Sequence, residues 1–576
     1  MESSEKCVED ALRRVREYHQ LSKHAPNRYA PGPGRLDWGS QPDPFRTFAG
    51  APRIPLPLVA DALNTTHQAC YQSAGVVSPA PLDGRGVAAL LELSLGLSAW
   101  KVYQHEQWPL RCNPSSGNLH PTEGYLVLPA LPAPHNGTGP PLSAGVYHYA
   151  SYDHQLELRW QPTDADIDSW QQAFAPGTFL LGLSSIHWRE SWKYGLRSFR
   201  YCHLNLGHAV AAIRYAAASL GWQACLLTGH ADADLALLLA LNKGSGGTET
   251  AAGESLPAAT PEDEHPGLLL SISTLQGQDA RPGGVPWLAR QVNHGPWLGQ
   301  ANCLSRGHAQ DWPGIATVDA ATSQPPCQAE RQPLADRPPL QVASPGMQAA
   351  QLIRQRRSGQ RYDGHTFLAK TAFFSILDCC LARPGHPPWD LLPWPSRIHL
   401  ILMVHRVTDL SPGLYALVRR ADFLRPLQDA LHRPFLWEAV TDAPQLPLYR
   451  LAHGEMQDLA THLSCQQEIA GDGAFSVGML AEFDAVLTAA PWGYRSLHWE
   501  AGMLGQTLYL EAEAVGMRGT GIGCYFDDEV HHLLGVRESR LQSMYHFTIG
   551  NPLEDSRLQT RPPYQHIQDR GFSASA

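Results

Sequence analysis

The chain of 576 residues repeats itself, and the repeat constrains its architecture more than any other feature. "FRYCHLNLGHAVAAIRYAAASLGW", Phe199 to Trp222, and "YRSLHWEAGMLGQTLYLEAEAVGM", Tyr494 to Met517, align at a constant offset of 295 residues. Arg200 falls on Arg495, His203 on His498, Gly207 on Gly502 and Gly221 on Gly516. Both stretches place apolar residues at helical spacing, fill the gaps with small ones and stop at a glycine, which predicts one long buried helix per half. Each is followed by a glycine-containing turn, a charged helix ("ADADLALLLAL", "DDEVHHLLGV") and a strand-like run ("GLLLSIS", "MYHFTIG"). The unit is α+β and occurs twice.

Looser correspondences link "GVAALLELSLGL" with "TAFFSILDCCLA", and "AGVYHYASYDHQLEL" with "PGLYALVRRADFLRPL". They give domain 1 over residues 1–282 with an N-terminal extension, a linker over 283–345 rich in Pro, Gly and Gln, domain 2 over 346–560, and a tail over 561–576. A polar insertion within domain 1, residues 243–266 with "GSGGTETAAGE", reads as a disordered loop.

Composition narrows the partners. The net charge is −10, and lysines and arginines are scattered, so nothing marks a nucleic-acid surface. No run of about 18 apolar residues predicts a membrane span. "MESSEKCVEDALRRVREYHQ" carries charge where a signal peptide needs an apolar core, so the expected location is cytoplasmic. Eleven cysteines form no CxxC pair and 27 histidines show no HExxH spacing, so no metal site is expected.

Two clusters carry chemistry. In "RRSGQR", guanidinium forks at Arg356, Arg357 and Arg361, with Ser358 and Gln360, suit the oxygens of a phosphate or ribityl phosphate. A solvated helix end would look much the same. In "RCNPSSGNLHPTEGY", Pro114, Ser115, Ser116, Gly117 and Asn118 make a turn of short side chains that lets a planar ligand approach the backbone. An ordinary loop before a strand is the plain alternative.

Taken together these motifs resemble the FMN-dependent nitroreductase family. "RRSGQRYDG" is similar to its Arg-x-Ser cluster and "PSSGN" to its flavin-ring turn. "GTGIGCYFDDEVHHLLGV" is similar to its glycine-rich flavin segment, with Gly519, Gly521, Ile522 and Gly523, and "GNPLEDSRL" to its basic C-terminal contact, at Arg557. "SWKYGLRSFRYCHLNLGH" resembles the signature of the SagB-type, azoline-forming dehydrogenase branch, which implies Lys193 and Tyr194 as the catalytic pair. An ammonium beside a phenol lowers the phenol's pKa, so Tyr194 is expected as a proton acceptor or donor.

Family members are normally homodimers with FMN between subunits, and here the two roles are divided. The first copy has the turn and Lys193-Tyr194 but no Arg-Arg-Ser; the second has Arg356 to Arg361, while Thr488-Ala489 replace Lys-Tyr. The resemblance thus implies two nitroreductase-like domains, each a central antiparallel-type mixed sheet flanked by helices, forming a monomeric intramolecular pseudo-dimer with one composite FMN site. Three functions remain open: a dehydrogenase of a small-molecule or peptide-derived substrate, a nitro or quinone reductase with NAD(P)H as transient donor, and a catalytically dead scaffold.

Overall fold

In the computed structural model, which describes residues 2–72, 75–134, 141–241, 260–275, 284–293, 295–308, 310–328 and 334–573, the two copies build two seven-stranded sheets of like design. The first half supplies β1 (Arg53–Pro55), β2 (Leu97–Tyr103), β3 (Glu106–Arg111), β4 (Thr122–Leu128), β5 (Gly145–Ala150), β6 (Gln155–Trp160), β7 (Thr178–Ile186), β8 (Gln223–Leu227) and β9 (Glu264–Ser273). The second supplies β10 (Ile398–Val404), β11 (Gly413–Leu417), β12 (Glu438–Ala439), β13 (Leu448–His453), β14 (Phe475–Glu482), β15 (Arg518–Ile522), β16 (Leu541–Gly550) and β17 (Gln559–Arg561). Strand order is β1-β6-β5-β4-β7-β9-β8 in one sheet and β12-β13-β11-β10-β14-β16-β15 in the other. Every described pairing in both is antiparallel. Only the outermost edge differs in origin: β1 precedes the rest of its sheet in sequence, whereas β12 lies within the run of the other.

Seven helices frame the joint between the halves and the cavity there: α1 (Glu2–Leu21), α2 (His187–Tyr194), α3 (Ser198–Ser219), α4 (Pro313–Ala321), α5 (Ala349–Gln355), α6 (Gly493–Ala514) and α7 (Asp527–Leu534). The repeated helices α3 and α6 have 22 residues each, and nearly every residue in them is buried. A helix buried all round needs small residues where another backbone crosses it. Gly207 and Gly502 are that crossing. A Cβ on Gly207 would stand 2.9 Å from the Gly502 Cα and closer still to the Trp499 carbonyl, and one on Gly502 would meet Gly207 and the Leu204 carbonyl in the same way.

The halves are also joined by crossed ion pairs that obey the 295-residue offset. Arg200 of α3 reaches Asp527 at the start of α7 at 2.7 Å, and Arg495 of α6 reaches Asp232 at 2.7 Å. A single apolar core runs through both halves, from Val15 through Phe199 and Leu504 to Ile549. Separate clusters cover each sheet's outer face, around Trp160 and Leu269 in one half and Ile401 and Leu534 in the other. Two exchanges tighten the joint. β17 adds to the β2–β3 hairpin, pairing Thr560 with Lys101, and α1 sends Tyr18 Oη to the Leu196 carbonyl at 2.7 Å while His19 meets Tyr494 and Gln542.

Three sequence expectations change. The glycines of "GTGIG" were expected in a turn, but Gly519 and Gly521 lie in edge strand β15, opposite Ile549 and Phe547. Pairing with β16 overrides the low strand propensity of glycine, and glycine is required there: a Cβ on Gly519 would stand 2.6 Å from the Phe547 ring. The linker over 283–345 is packed where described, with a helix at Val285–Asn293, a strand pairing Phe48–Ala49 with Gln300–Ala301, and α4. Most of the loop expected over 243–266 lies outside the described residues, and its last three residues open β9.

Candidate functional site

A cavity of about 470 Å³ lies between the halves. The first half contributes Pro114 to Asn118, Tyr194, Tyr201, Asn205 and His208; the second contributes Arg356, Arg357, Ser358, Gln360, Tyr509, Gly521, Ile522, Gly523 and Tyr545. Two motifs more than two hundred residues apart in sequence therefore face one space.

One end is cationic. Lys101, Arg356 and Arg357 gather there, none of them paired with a carboxylate among the described residues, while Arg111 lines the same end but sends its guanidinium to the carbonyls of Pro44 and Thr122. Burial pulls the pKa of each down, and Arg357, with the Arg356 charge beside it, is pulled to about 10. Arg356 is 3 % exposed, lies over the Tyr509 ring at 4.9 Å, donates to the Arg111 carbonyl at 3.0 Å, and its Nε has no partner. Buried, uncompensated guanidiniums are costly, which makes this end a seat for an anion. Arg357 donates to the carbonyls of Ser98 and Arg354, which fixes its fork in place. Tyr509 Oη links the two second-half segments: it is 2.9 Å from Ser358 Oγ and accepts from Gly521 N at 2.9 Å. A parallel bridge between Ser358 and Gly519 holds the arginine loop on the edge strand.

The other end is a bare turn beneath phenols. Gly117, Asn118 and His120 all have left-handed backbone, φ 59, 60 and 51. Three such residues in four is a strained turn, and strain of this kind concentrates at functional sites. Ser115 Oγ accepts from His120 N at 2.9 Å and Asn118 Nδ2 donates to the Pro109 carbonyl at 2.8 Å, which hold its shape. A Cβ on Gly117 would stand 2.5 Å from Tyr194 Oη, so the phenol lies directly on the turn. Asn205 on α3 accepts from Ser116 N at 3.0 Å and donates to Glu190 at 2.6 Å. Burial raises the Glu190 pKa well above the usual carboxylate value.

Lys193 does not act on Tyr194 as the sequence implied. Its ammonium lies over the ring at 5.4 Å from the centroid, and the Tyr194 pKa is pushed well up, by burial first and then by Glu190 and Tyr201. Burial thus favours the protonated phenol. Lys193 itself does not line the cavity. Neither do Arg361, Gly519 and Arg557. Arg361 points to solvent, Gly519 is buried beneath the loop with its carbonyl accepting from Gly359 N at 3.1 Å, and Arg557 is 71 % exposed and paired with Asp555.

The sequence reading missed Lys101, Arg111, Tyr201, Asn205, His208, Tyr509, Cys524 and Tyr545. The signal for three of them was Tyr201, Asn205 and His208 at i, i+4 and i+7 of one helix, which puts them on one face. Cys524 has a second distinction. A hydrogen bond from Cys465, then His24 and the Arg197 charge, outweigh burial and hold its thiol well below the ordinary range. Iodoacetamide is therefore expected to label Cys524 at pH 6 ahead of Cys465, and Cys465→Ala to slow the labelling. A Cys524 rate that climbs about tenfold per pH unit from 6 to 8, as an ordinary thiol does, contradicts this.

The position related by the repeat is filled. Arg214, offset 295 from Tyr509, makes two bonds to Asp390 at 2.9 and 2.7 Å, and Glu500, offset 295 from Asn205, is held by Arg419 and by the amides of Arg397 and Ile398. A separate cavity of about 400 Å³ in the first half, lined by Arg46, Phe48, Glu262 and His308, contains none of the motif residues.

No protein-family profile matches this sequence, and no curated protein matches it. Solved structures do. A protein from Anabaena variabilis ATCC 29413 that carries the provisional name nitroreductase matches with a TM-score of 0.64 at 21% identity, over 94% of this chain and 99% of that one. The E. coli microcin synthetase McbBCD complex matches at a TM-score of 0.27 and 18% identity, over 34% of this chain and 69% of that chain. A provisionally named nitroreductase in complex with FMN, from Exiguobacterium sibiricum 255-15, matches at 0.22 and 12%, over 37% and 91%. The Anabaena match, spanning both halves, shows that the chain has a nitroreductase-type fold in two tandem copies. No described helix is long and apolar enough to cross a membrane.

Proposed function

We propose that the chain is a flavoprotein oxidoreductase, a monomeric intramolecular pseudo-dimer that binds one FMN in the cavity between its halves. The observation that carries this reading is the pairing, across one cavity, of a cationic end, made by buried Arg356 with half-buried Arg357 and Lys101 and holding no carboxylate partner among the described residues, and a left-handed turn covered by a phenol. The donor set fits the cofactor: Arg356, Arg357, Lys101 and Ser358 would hold the phosphate, Gly521 to Gly523 the ribityl chain, and Ser115 to Asn118 the ring. A Cβ on Gly521 would run into the Tyr545 hydroxyl, so that stretch of backbone borders the cavity bare. When bound, FMN supplies hydride transfer.

The chain's own contribution is position and a proton. Tyr194, which burial keeps protonated well beyond neutral pH, can donate its hydroxyl proton to an acceptor reduced beside the ring site. Asn205, fixed by Ser116 and Glu190, keeps the turn at a constant distance from α3. The raised phenol favours reduction of an acceptor, with NAD(P)H as donor, over a dehydrogenase in which Tyr194 acts as base.

Purified protein is expected to carry about one FMN per chain, with Arg356→Ala and Gly521→Val losing it. Two per chain would mean that the Arg214–Asp390 position also binds flavin, and none after reconstitution would leave the scaffold reading. In turnover, Tyr194→Phe should reduce kcat for acceptor reduction by about 10²-fold, with Lys193→Ala close to wild type; the reverse order would return Lys193 to the chemistry.

A further inference from the structure

We infer that the first half holds a divalent cation of the zinc class, ligated by His187, His265 and Asp319. The three come from separate places: His187 opens α2 directly after β7, His265 is the second residue of the adjacent strand β9, and Asp319 belongs to α4, in the segment between the repeats. No spacing rule applied to the sequence would join them.

Their ligand atoms all lie within 4.8 Å of one another. The two imidazoles are stacked, centroids 4.0 Å apart and planes within 14°, and His265 Nδ1 is 2.8 Å from Asp319 Oδ2. His187 supplies the independent observation. It is 5 % exposed, yet neither ring nitrogen has a hydrogen-bond partner. A buried imidazole ordinarily donates from one nitrogen and accepts at the other, and leaving both unmade is a rare arrangement that calls for a partner. A metal ion beside the stacked rings and Asp319 would be that partner.

The ligand chemistry selects the ion. Two imidazoles and one carboxylate suit zinc and its first-row neighbours, whereas calcium and magnesium prefer all-oxygen shells. Three protein ligands leave a position for water. Asp319 and His265 are 24 and 30 % exposed, so the ion has a route in from solvent. The nearby positive charge of Arg495 is already matched by Asp232 at 2.7 Å, which limits its repulsion of a cation. The ion's role would be tethering. It would pin α4, and with it the segment joining the repeats, to the start of the helix whose other end carries Tyr194, seven residues or about 10 Å away.

The test uses the full chain, stripped with chelator and dialysed, titrated with Zn²⁺ by calorimetry and with Co²⁺ by visible absorption. One Zn²⁺ per chain is expected, with Co²⁺ giving the d–d bands of a low-coordinate nitrogen and oxygen site and Zn²⁺ raising the Tm. His187→Ala should abolish both signals. Asp319→Asn, a change on a part-exposed helix that leaves packing intact, should weaken Zn²⁺ binding by at least about tenfold, and His365→Ala, at an exposed histidine, should leave it unchanged. If wild type takes up no stoichiometric metal, the cluster is an ion pair of His265 and Asp319 with a stacked neutral ring, and the inference is overturned. Equal binding by Asp319→Asn and wild type would overturn it too, since surface histidines would then be the ligands.

Discussion

Gly502→Ala is expected to destabilise the whole chain by more than about 4 kcal/mol, and Gly502→Val to leave no soluble folded protein. The added methyl would sit 2.9 Å from both the Gly207 Cα and His208 N, and closer to the Leu204 carbonyl. These are backbone atoms of a helix buried along its full length, so no side chain can turn aside to relieve the clash. The helices cannot spread apart either, because each is packed on its own sheet and both belong to one continuous core. Gly516→Ala provides the contrast. That glycine has φ +75 but nothing within 4 Å of an added Cβ, so the substitution should cost only the left-handed conformation, about 1–2 kcal/mol. Urea unfolding of the two variants beside wild type checks the pair. Equal midpoint shifts would mean that the crossing is looser than the Gly207–Gly502 contact implies.

The same two glycines show how far the sequence could be read. Gly207 and Gly502, and Arg200 and Arg495, align at one offset because each pair performs one task on both sides of the joint, so the duplication and the central helices were legible. The turn at Ser115 to Asn118 and the cluster at Arg356 to Gln360 were also legible as chemistry, being contiguous in sequence. What escaped depended on burial or on long-range assembly. Tyr194 was expected to be acidified by its neighbour Lys193, but the energy of an enclosed phenolate outweighs an ammonium that sits over the ring face. Lys101 and Arg111 looked like scattered charges until the β2–β3 hairpin carried them to the cavity. His187, His265 and Asp319 span three elements, two in the first half and one in the segment between the repeats. Arg557 failed in the other direction: a motif likeness placed it at the phosphate, yet its own loop holds it on Asp555.

Asp527→Asn is expected to cost about 3–5 kcal/mol, the range for breaking one side of a buried ion pair, and to cost more than Asp232→Asn. The two aspartates occupy equivalent positions in the repeat, and the difference lies in what surrounds them. Asp527 is buried, receives Arg200 at 2.7 Å and Arg197 at 3.0 Å, and accepts from His24 N at 3.1 Å, tying α3 and the end of α1 to the second half. Asp232 has Arg495 and the Gln324 amide. Burial alone would raise both pKa values. It does so for Asp232, but the two guanidiniums reverse it for Asp527 and hold that group at about 2. Because the folded pKa is depressed, the stabilisation from Asp527 is fully present above the unfolded value near 3.8 and is lost as pH falls toward about 2. Asparagine cannot titrate, so the stability gap between wild type and Asp527→Asn should be constant from pH 7 to 5 and narrow by about 2 kcal/mol between pH 4 and 2. Denaturant midpoints measured over that range decide the matter. A gap that stays constant to pH 2 would mean that the asparagine variant fails through packing, and that the crossed ion pair at Asp527 does not hold the halves together.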